Sequence, residues 1–178
     1  MAKYIEIDKK RFVKLLAPDT IAAAVRSMAN NITRDFSHKS PVMLVVLNGS
    51  FIFAADLLRQ FDFPLDISFI KIKSYAGTTQ QNLVWELEPD TNLQNRTVII
   101  IEDIVDTGNT LMAIHEKVIQ MGALSCDVAT LLFKPDTYRG RLQILYFGLQ
   151  IAPAFVIGYG LDVNGKGRNL PALYQLEK

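Results

Sequence analysis

The sequence is poor in the features that would take it away from ordinary globular chemistry. It has one cysteine in 178 residues, Cys126, so no internal disulfide can form. That fits a reducing compartment and a core held by packing. No apolar run is long enough to span a bilayer, and the opening MAKYIEIDKK lacks the apolar stretch of a signal peptide. Charge of one sign is missing too: 19 Lys and Arg against 18 Asp and Glu leave a net charge of +1. This argues against a whole-chain pull towards nucleic acid or an anionic membrane. There is no internal repeat or low-complexity tract, and no G-x-G-x-x-G follows the first buried strand, which sets aside a Rossmann dinucleotide crevice. What is present is 49% apolar and 21% charged residues, enough for one globular domain with a sizeable core and, by default, a cytoplasmic location.

The hydrophobic pattern predicts alternating strands and helices. Ile21, Val25, Met28, Ile32 and Phe36 recur at helical spacing after the start signals Pro18 and Asp19. Val42 to Leu47 is a continuous apolar run of the kind buried parallel strands use; Asn48-Gly49-Ser50 breaks it, and helical spacing resumes from Phe51 to Phe61. A strand is expected over Leu65 to Lys73, a polar loop over 75–82, and a short strand from Val84 to Glu88. Thr97 to Ile101 reads as a buried strand, followed by a helix whose stripe is Leu111, Ile114, Val118 and Met121, closed by Gly122 as a C′ glycine. Further strands are expected at Asp127 to Phe133 and Phe155 to Tyr159, with a Gly/Asn-rich loop over 164–169. Strands alternating with helices imply an α/β fold, a mainly parallel sheet flanked by helices on both faces. Ligands in such sheets bind beyond the carboxyl ends of the strands.

The strand at 97–101 runs into Glu102, Asp103 and, two apolar residues later, Asp106. Asp106 alone would read as a helix N-cap, worth about 0.5–2 kcal/mol. A cap does not account for two further acids at the end of an apolar strand. Thr107-Gly108-Asn109-Thr110, before a helix, offers free backbone N–H groups and hydroxyls, a cradle for a phosphate. Carboxylates beside a phosphate are tolerable when a ribose diol or Mg²⁺ lies between them. A sugar phosphate with vicinal hydroxyls and Mg²⁺ satisfies every group.

Val98 to Thr110 (VIIIEDIVDTGNT) resembles the phosphoribosyl-pyrophosphate (PRPP) motif of type I phosphoribosyltransferases. Leu47-Asn48-Gly49-Ser50 resembles their pyrophosphate loop, Lys73-Ser74-Tyr75 the start of a flexible loop, and Leu132-Phe133-Lys134 the purine-contacting lysine segment. Phe155 to Asp162, followed by Arg168, resembles the purine-binding hood. These segments span residues of about 42 to 170 in the right order, and within the type I enzymes they are most similar to the hypoxanthine (hypoxanthine-guanine) phosphoribosyltransferase family. The resemblance implies a single domain over residues 1–178, with a core at about 37–150 and a hood made from the N-terminal segment and about 151–178. It also implies purine salvage: PRPP plus a 6-oxopurine base gives the nucleoside monophosphate and pyrophosphate, with Mg²⁺ as cofactor. A homodimer or homotetramer is expected on the same ground.

The resemblance assigns roles residue by residue. Glu102 and Asp103 match the acids that hold the ribose hydroxyls, directly or through Mg²⁺. Asp106 matches a general base beside purine N7, a role typically worth about 10²–10⁴-fold. Thr107, Gly108, Asn109 and Thr110 match the 5′-phosphate cradle. Asn48, Gly49, Ser50 and Arg168 match the pyrophosphate site, Arg being suited to bidentate phosphate contacts. Lys134 matches the donor to purine O6 and Phe155 the ring that stacks on the base. Val156 would present backbone groups to the purine edge. Asp162 matches an acid serving a second Mg²⁺, its carbonyl facing the guanine 2-amino group. Ser74 and Tyr75 would open a loop that closes over the site and excludes water. Taken singly, Lys134 would be a solvated strand-end lysine, Phe155 a core residue and 75–82 a plain hairpin loop.

Two positions depart from the pattern: many relatives carry lysine where this chain has Asn48 and Asn109. The family also has a non-proline cis peptide that would fall at Leu47-Asn48. Three other readings compete. A nucleotide-sensing regulator of the same fold would usually carry a basic face and could lack the catalytic acid, whereas this chain has Asp106, Lys134 and a charge near zero. An adenine enzyme conflicts with a donor at Lys134; a xanthine-preferring enzyme does not.

Overall fold

In a computed structural model the described residues are 3–74 and 83–177, and they form two sheets and three helices. In chain order these are β1 (Tyr4–Ile7), β2 (Lys10–Leu16), α1 (Pro18–Phe36), β3 (Val42–Leu47), α2 (Phe51–Leu58), β4 (Asp66–Ser74), β5 (Leu83–Leu87), β6 (Thr97–Val105), α3 (Asn109–Gln120), β7 (Ser125–Phe133), β8 (Tyr146–Gln150), β9 (Val156–Ile157) and β10 (Leu173–Leu176). The larger sheet has the order β5-β4-β3-β6-β7-β8. It is parallel throughout except for β5, which runs antiparallel at the edge.

Helices cover both faces, as the alternation predicts, and the side-chain period of two decides which residue meets which helix. Met43, Val45, Ile99 and Ile101 face α1 and α2, packing with Ile21, Val25, Met28, Phe53 and Leu57. Val42, Leu44, Val98 and Ile100 face the other way, against Leu111, Ile114 and Val118 of α3. The apolar runs at 42–47 and 98–101 are apolar at every position because both of their faces are buried.

The strand order reverses between β3 and β6. From β3 the chain moves outward through β4 to β5, and from β6 it moves the opposite way through β7 to β8. Such a reversal opens a crevice at the carboxyl ends of the strands. β6 also outruns β3: their last paired residues are Val45 and Ile101, while β6 stays paired with β7 as far as Val105 and Phe133. The strand expected to end at Ile101 therefore carries Glu102 and Asp103 within it, on the segment that has left β3 behind.

The second sheet, β1-β2-β10-β9, is antiparallel and joins the two ends of the chain around Phe12, Ile157, Val163, Ala172 and Tyr174. Of the strand expected over Phe155 to Tyr159, only Val156 and Ile157 pair with β10, and Gly158 makes an isolated bridge to Leu161, where Gly158, Tyr159 and Gly160 all turn to positive φ. Two contacts fasten this sheet over the crevice. The Tyr159 hydroxyl donates to Asp56 of α2 at 2.6 Å, and Gly160 lies so close to the Gly49 carbonyl that a Cβ there would overlap it. The helix expected to reach Phe61 ends at Leu58. The peptide bond Leu47-Asn48 is cis, at the place the family pattern indicates. The expected loop over 75–82, Tyr75 included, lies outside the described residues; Ser74 is the last residue of β4.

Candidate active site

A cavity of about 430 Å³ opens at the β3/β6 crevice. Glu102, Asp103, Asp106, Thr110, Lys134, Phe155, Val156, Asp162 and Arg168 all line it, together with Gly49. Residues far apart in the chain thus share one space, drawn from β6, the start of α3, the end of β7, the small sheet and the loop after β3.

The cradle abuts this cavity. Residues 104 to 111, together with Glu102, line a hollow of about 110 Å³ at the start of α3. Gly108 is the N-cap of the helix, at φ +87, a conformation that favours glycine, and no side chain caps the first turn. Its N–H groups remain available to an anion. A cap by Asp106 is thereby excluded. The carboxyl of Asp106 turns to other partners: Lys134 Nζ lies 2.6 Å from Oδ2, and the Thr137 hydroxyl donates to Oδ1 at 2.6 Å. Burial works against the charge on Asp106, but these two hydrogen bonds outweigh it and hold the carboxyl below its ordinary range.

Lys134 is 7% exposed, so it is no solvated strand-end lysine; its stem is buried and its ammonium is held by Asp106. Phe155 reverses the other simple expectation. It is 51% exposed, with its ring 6.3 Å from that of Phe12. Core packing does not explain an aromatic face left open over a cavity. Val156 behind it is buried in β9 and pairs with Gln175.

Glu102 and Asp103 meet a different electrostatic problem. Burial first, and then the Asp103 charge, push the Glu102 carboxyl well above its ordinary range. Burial likewise raises Asp103. The Asp103 N–H donates to Glu102 Oε1 at 3.2 Å, and the Ile104 N–H to Asp103 Oδ1 at 2.7 Å. Two half-buried neighbouring carboxylates are a pair that a cation or a set of hydroxyl donors would relieve. Among the described residues no group of three or more His, Cys, Asp or Glu is placed to share one metal ion. The donor set nevertheless suits Mg²⁺, which takes one or two carboxylates and fills its shell with water and substrate oxygens.

The expected pyrophosphate residues do not all converge. Gly49 lines the cavity, and a Cβ there would overlap the Asp103 carboxylate. Ser50 is fully buried, and its hydroxyl donates inward to the Val46 carbonyl. Asn48 is exposed and is not among the residues lining the cavity. Arg168 lines it, with Nη2 2.6 Å from Asp162 Oδ1 and Nη1 2.7 Å from the Gly160 carbonyl. The other oxygen of Asp162 accepts from the Gly165 N–H at 2.6 Å. Asp162 is therefore engaged at both oxygens.

Two residues escaped the sequence reading. Thr137 bonds Asp106, and Tyr138 packs its ring where a Cβ on Gly108 would lie, backing the cradle from behind. Their signal was the turn Lys-Pro-Asp-Thr-Tyr after β7, which marks a turn without revealing what its side chains touch.

Comparison with known proteins adds an independent line. The phosphoribosyl transferase domain family matches residues 14–164. A hypoxanthine-guanine phosphoribosyltransferase from Staphylococcus epidermidis is 36% identical over 165 residues, 92% of each chain. One from Streptococcus pneumoniae is 32% identical over 166 residues, again 92% of each chain. The crystal structure of a hypoxanthine-guanine phosphoribosyltransferase from Bacillus anthracis superposes with a TM-score of 0.88 at 34% identity, covering 92% of this chain and 98% of that one. Sequence motif, crevice and relatives agree: the chain belongs to the phosphoribosyltransferase family, in its hypoxanthine-guanine branch.

Proposed function

We propose that this chain is a purine-salvage enzyme that moves the phosphoribosyl group of PRPP to hypoxanthine, guanine or both. The observation that carries the reading is the facing pair Lys134 and Asp106, in one cavity with the open ring of Phe155 and beside the uncapped N–H donors of the α3 cradle. A 6-oxopurine offers O6 to an ammonium donor and an N7 proton to a carboxylate, and the stacked ring holds its plane. A 6-amino purine would leave the Lys134 donor unpaired, which is costly in a buried site.

The bond changes are few. The purine N9 lone pair forms the bond to the ribose anomeric carbon, and the bond from that carbon to pyrophosphate breaks with its electron pair on the leaving oxygen. The N7 proton passes to Asp106. The transition state has oxocarbenium character, so positioning and charge placement do most of the catalysis. Glu102 and Asp103 take the ribose hydroxyls, Thr107 to Thr110 hold the 5′-phosphate, and Gly49 with Arg168 faces the pyrophosphate. Mg²⁺, when bound, would neutralise the pyrophosphate charge that the uncharged Asn48 does not; Glu102 and Asp103 are the residues that would hold one ion, and Asp162 would serve a second.

We also infer a cytoplasmic protein of one domain, with its core at about 37–150 and a hood from both chain ends, that works as a homo-oligomer. Support for the oligomer comes from Ile67, Phe69 and Leu87, each more than 40% exposed on the outer strands of the sheet. The test of the activity is turnover of hypoxanthine, guanine and xanthine with PRPP and Mg²⁺. Conversion of hypoxanthine or guanine is expected, and Asp106→Asn should leave PRPP affinity intact while lowering turnover at least tenfold, about 1.4 kcal/mol. PRPP binding without turnover of any base would identify a nucleotide sensor, and turnover of xanthine alone would identify the xanthine enzyme.

A further inference from the structure

We infer that Thr137 is a positioning residue for the transfer: its hydroxyl keeps Asp106 aimed at the purine once Lys134 has left the carboxylate for the base. The inference rests on the reading of Asp106 as the base at N7 and adds to it a residue outside the segments that carry the family pattern.

The geometry starts from how the carboxylate is shared. Its two oxygens have separate partners, Lys134 on Oδ2 and Thr137 on Oδ1, each at 2.6 Å. The Thr137 oxygen also lies 3.3 Å from the Lys134 carbonyl. A hydroxyl has one proton to give, and the short contact to a charged acceptor is the stronger claim on it. Thr137 itself is well fixed. The Tyr138 N–H donates to the Lys134 carbonyl at 3.1 Å, and the Arg139 N–H donates to the Thr107 carbonyl at 3.0 Å, on the far side of the site. The turn is thus fastened both to the lysine that precedes it and to the cradle. A β-branched residue in such a turn has little freedom at χ1, so its hydroxyl is held in place.

The consequence appears when a base enters. The purine requires Lys134 at O6 and Asp106 at N7, so their ion pair must open. Asp106 then loses the partner on Oδ2, and the carboxylate torsion, which is intrinsically broad, is free to turn. The Thr137 bond on Oδ1 remains and fixes the plane, leaving Oδ2 where the ammonium had been, towards the base. A base held in line needs no search before proton transfer. The same bond stabilises the carboxylate as an anion, so it also sets the pH at which the base begins to work.

Three substitutions test this in steady-state assays with hypoxanthine at saturating PRPP over a pH range from about 8 down to about 4, towards the carboxylate range where the acid limb of Asp106 begins, alongside thermal melts. Thr137→Val, of nearly equal volume, should lower kcat on the order of tenfold, leave the KM for PRPP unchanged, and move the acid limb of the profile to higher pH. Thr137→Ser should restore both. In an Asp106→Asn background Thr137→Val should cost little more, because its target is gone. Wild-type turnover and pH profile in Thr137→Val would overturn the proposal. So would an equal loss in the Asp106→Asn background, or a loss in Thr137→Ser that follows a fall in Tm. If Asp106→Asn itself turns over normally, the base reading falls and this inference with it; if only Thr137→Val is normal, the base reading stands and the inference alone falls.

Discussion

At the scale of single residues, burial decides which groups are chemically active. Lys134 and Asp106 each find a partner of opposite charge, whereas Glu102 and Asp103 stand half-buried side by side, where desolvation raises both carboxyls. Cys126 is the opposite of a reactive group. It sits in β7 opposite Val98, and burial, helped by the Asp127 charge, pushes its thiol up to about 12. Free thiols ionise near about 8.5, so the folded protein holds this proton over a window where the unfolded chain has lost it. The raised value means a stability contribution that is complete below the ordinary thiol range and is lost as pH rises towards about 12. Two outcomes follow: Cys126→Ala should change how steeply stability varies with pH above the ordinary thiol range, and at a pH of about 8 the native thiol should react with a thiol reagent at least roughly tenfold more slowly than in denatured protein. Rapid stoichiometric labelling of the native protein would contradict the burial argument.

At the scale of elements, the turn after β7 backs the start of α3, the proposed phosphate cradle. The Tyr138 ring lies edge-on to Phe133 at 5.4 Å and fills the space behind Gly108, and its hydroxyl donates to the Leu142 carbonyl at 2.8 Å. Ring and hydroxyl therefore do separable work. Tyr138→Phe keeps the ring and should cost about 1 kcal/mol of stability with an unchanged KM for PRPP. Tyr138→Ala leaves Gly108 unsupported and should raise that KM on the order of tenfold, since small displacements of a positioning group are expensive. Equal KM values for the two variants would show that the ring does not brace the cradle.

At the scale of the whole molecule, the outer face of the large sheet is unfinished. The register places Ile67 and Phe69 on the same face as Met43 and Val45, yet α1 and α2 cover the latter pair and leave the former more than 40% exposed. Leu87 of β5 pairs with Lys71 and extends this apolar strip to the sheet edge. Such a strip on a sheet edge is a surface to be covered by a partner, and a second copy is the occupant proposed above. Light scattering should give twice or four times the chain mass, and Phe69→Glu should reduce it to that of one chain without unfolding the protein. A wild-type monomer at micromolar concentration would remove the proposal.

The sequence by itself determined whatever depends on neighbours along the chain. Period decided α1 and α3, continuous apolarity decided β3 and β6, and the acids and small residues of 102–110 marked that stretch as a candidate site. It also carried the family pattern, down to the cis peptide at Leu47-Asn48. Tertiary structure alone decided the rest, because strand pairing and side-chain partners join residues with no local signature. The small sheet is built from both ends of the chain, so neither end looks like half of it. Ser50 reads as a phosphate ligand in sequence but turns inward to Val46. Asp106 reads as a helix cap until the fold sets it between Lys134 and Thr137, residues 28 and 31 positions further along the chain.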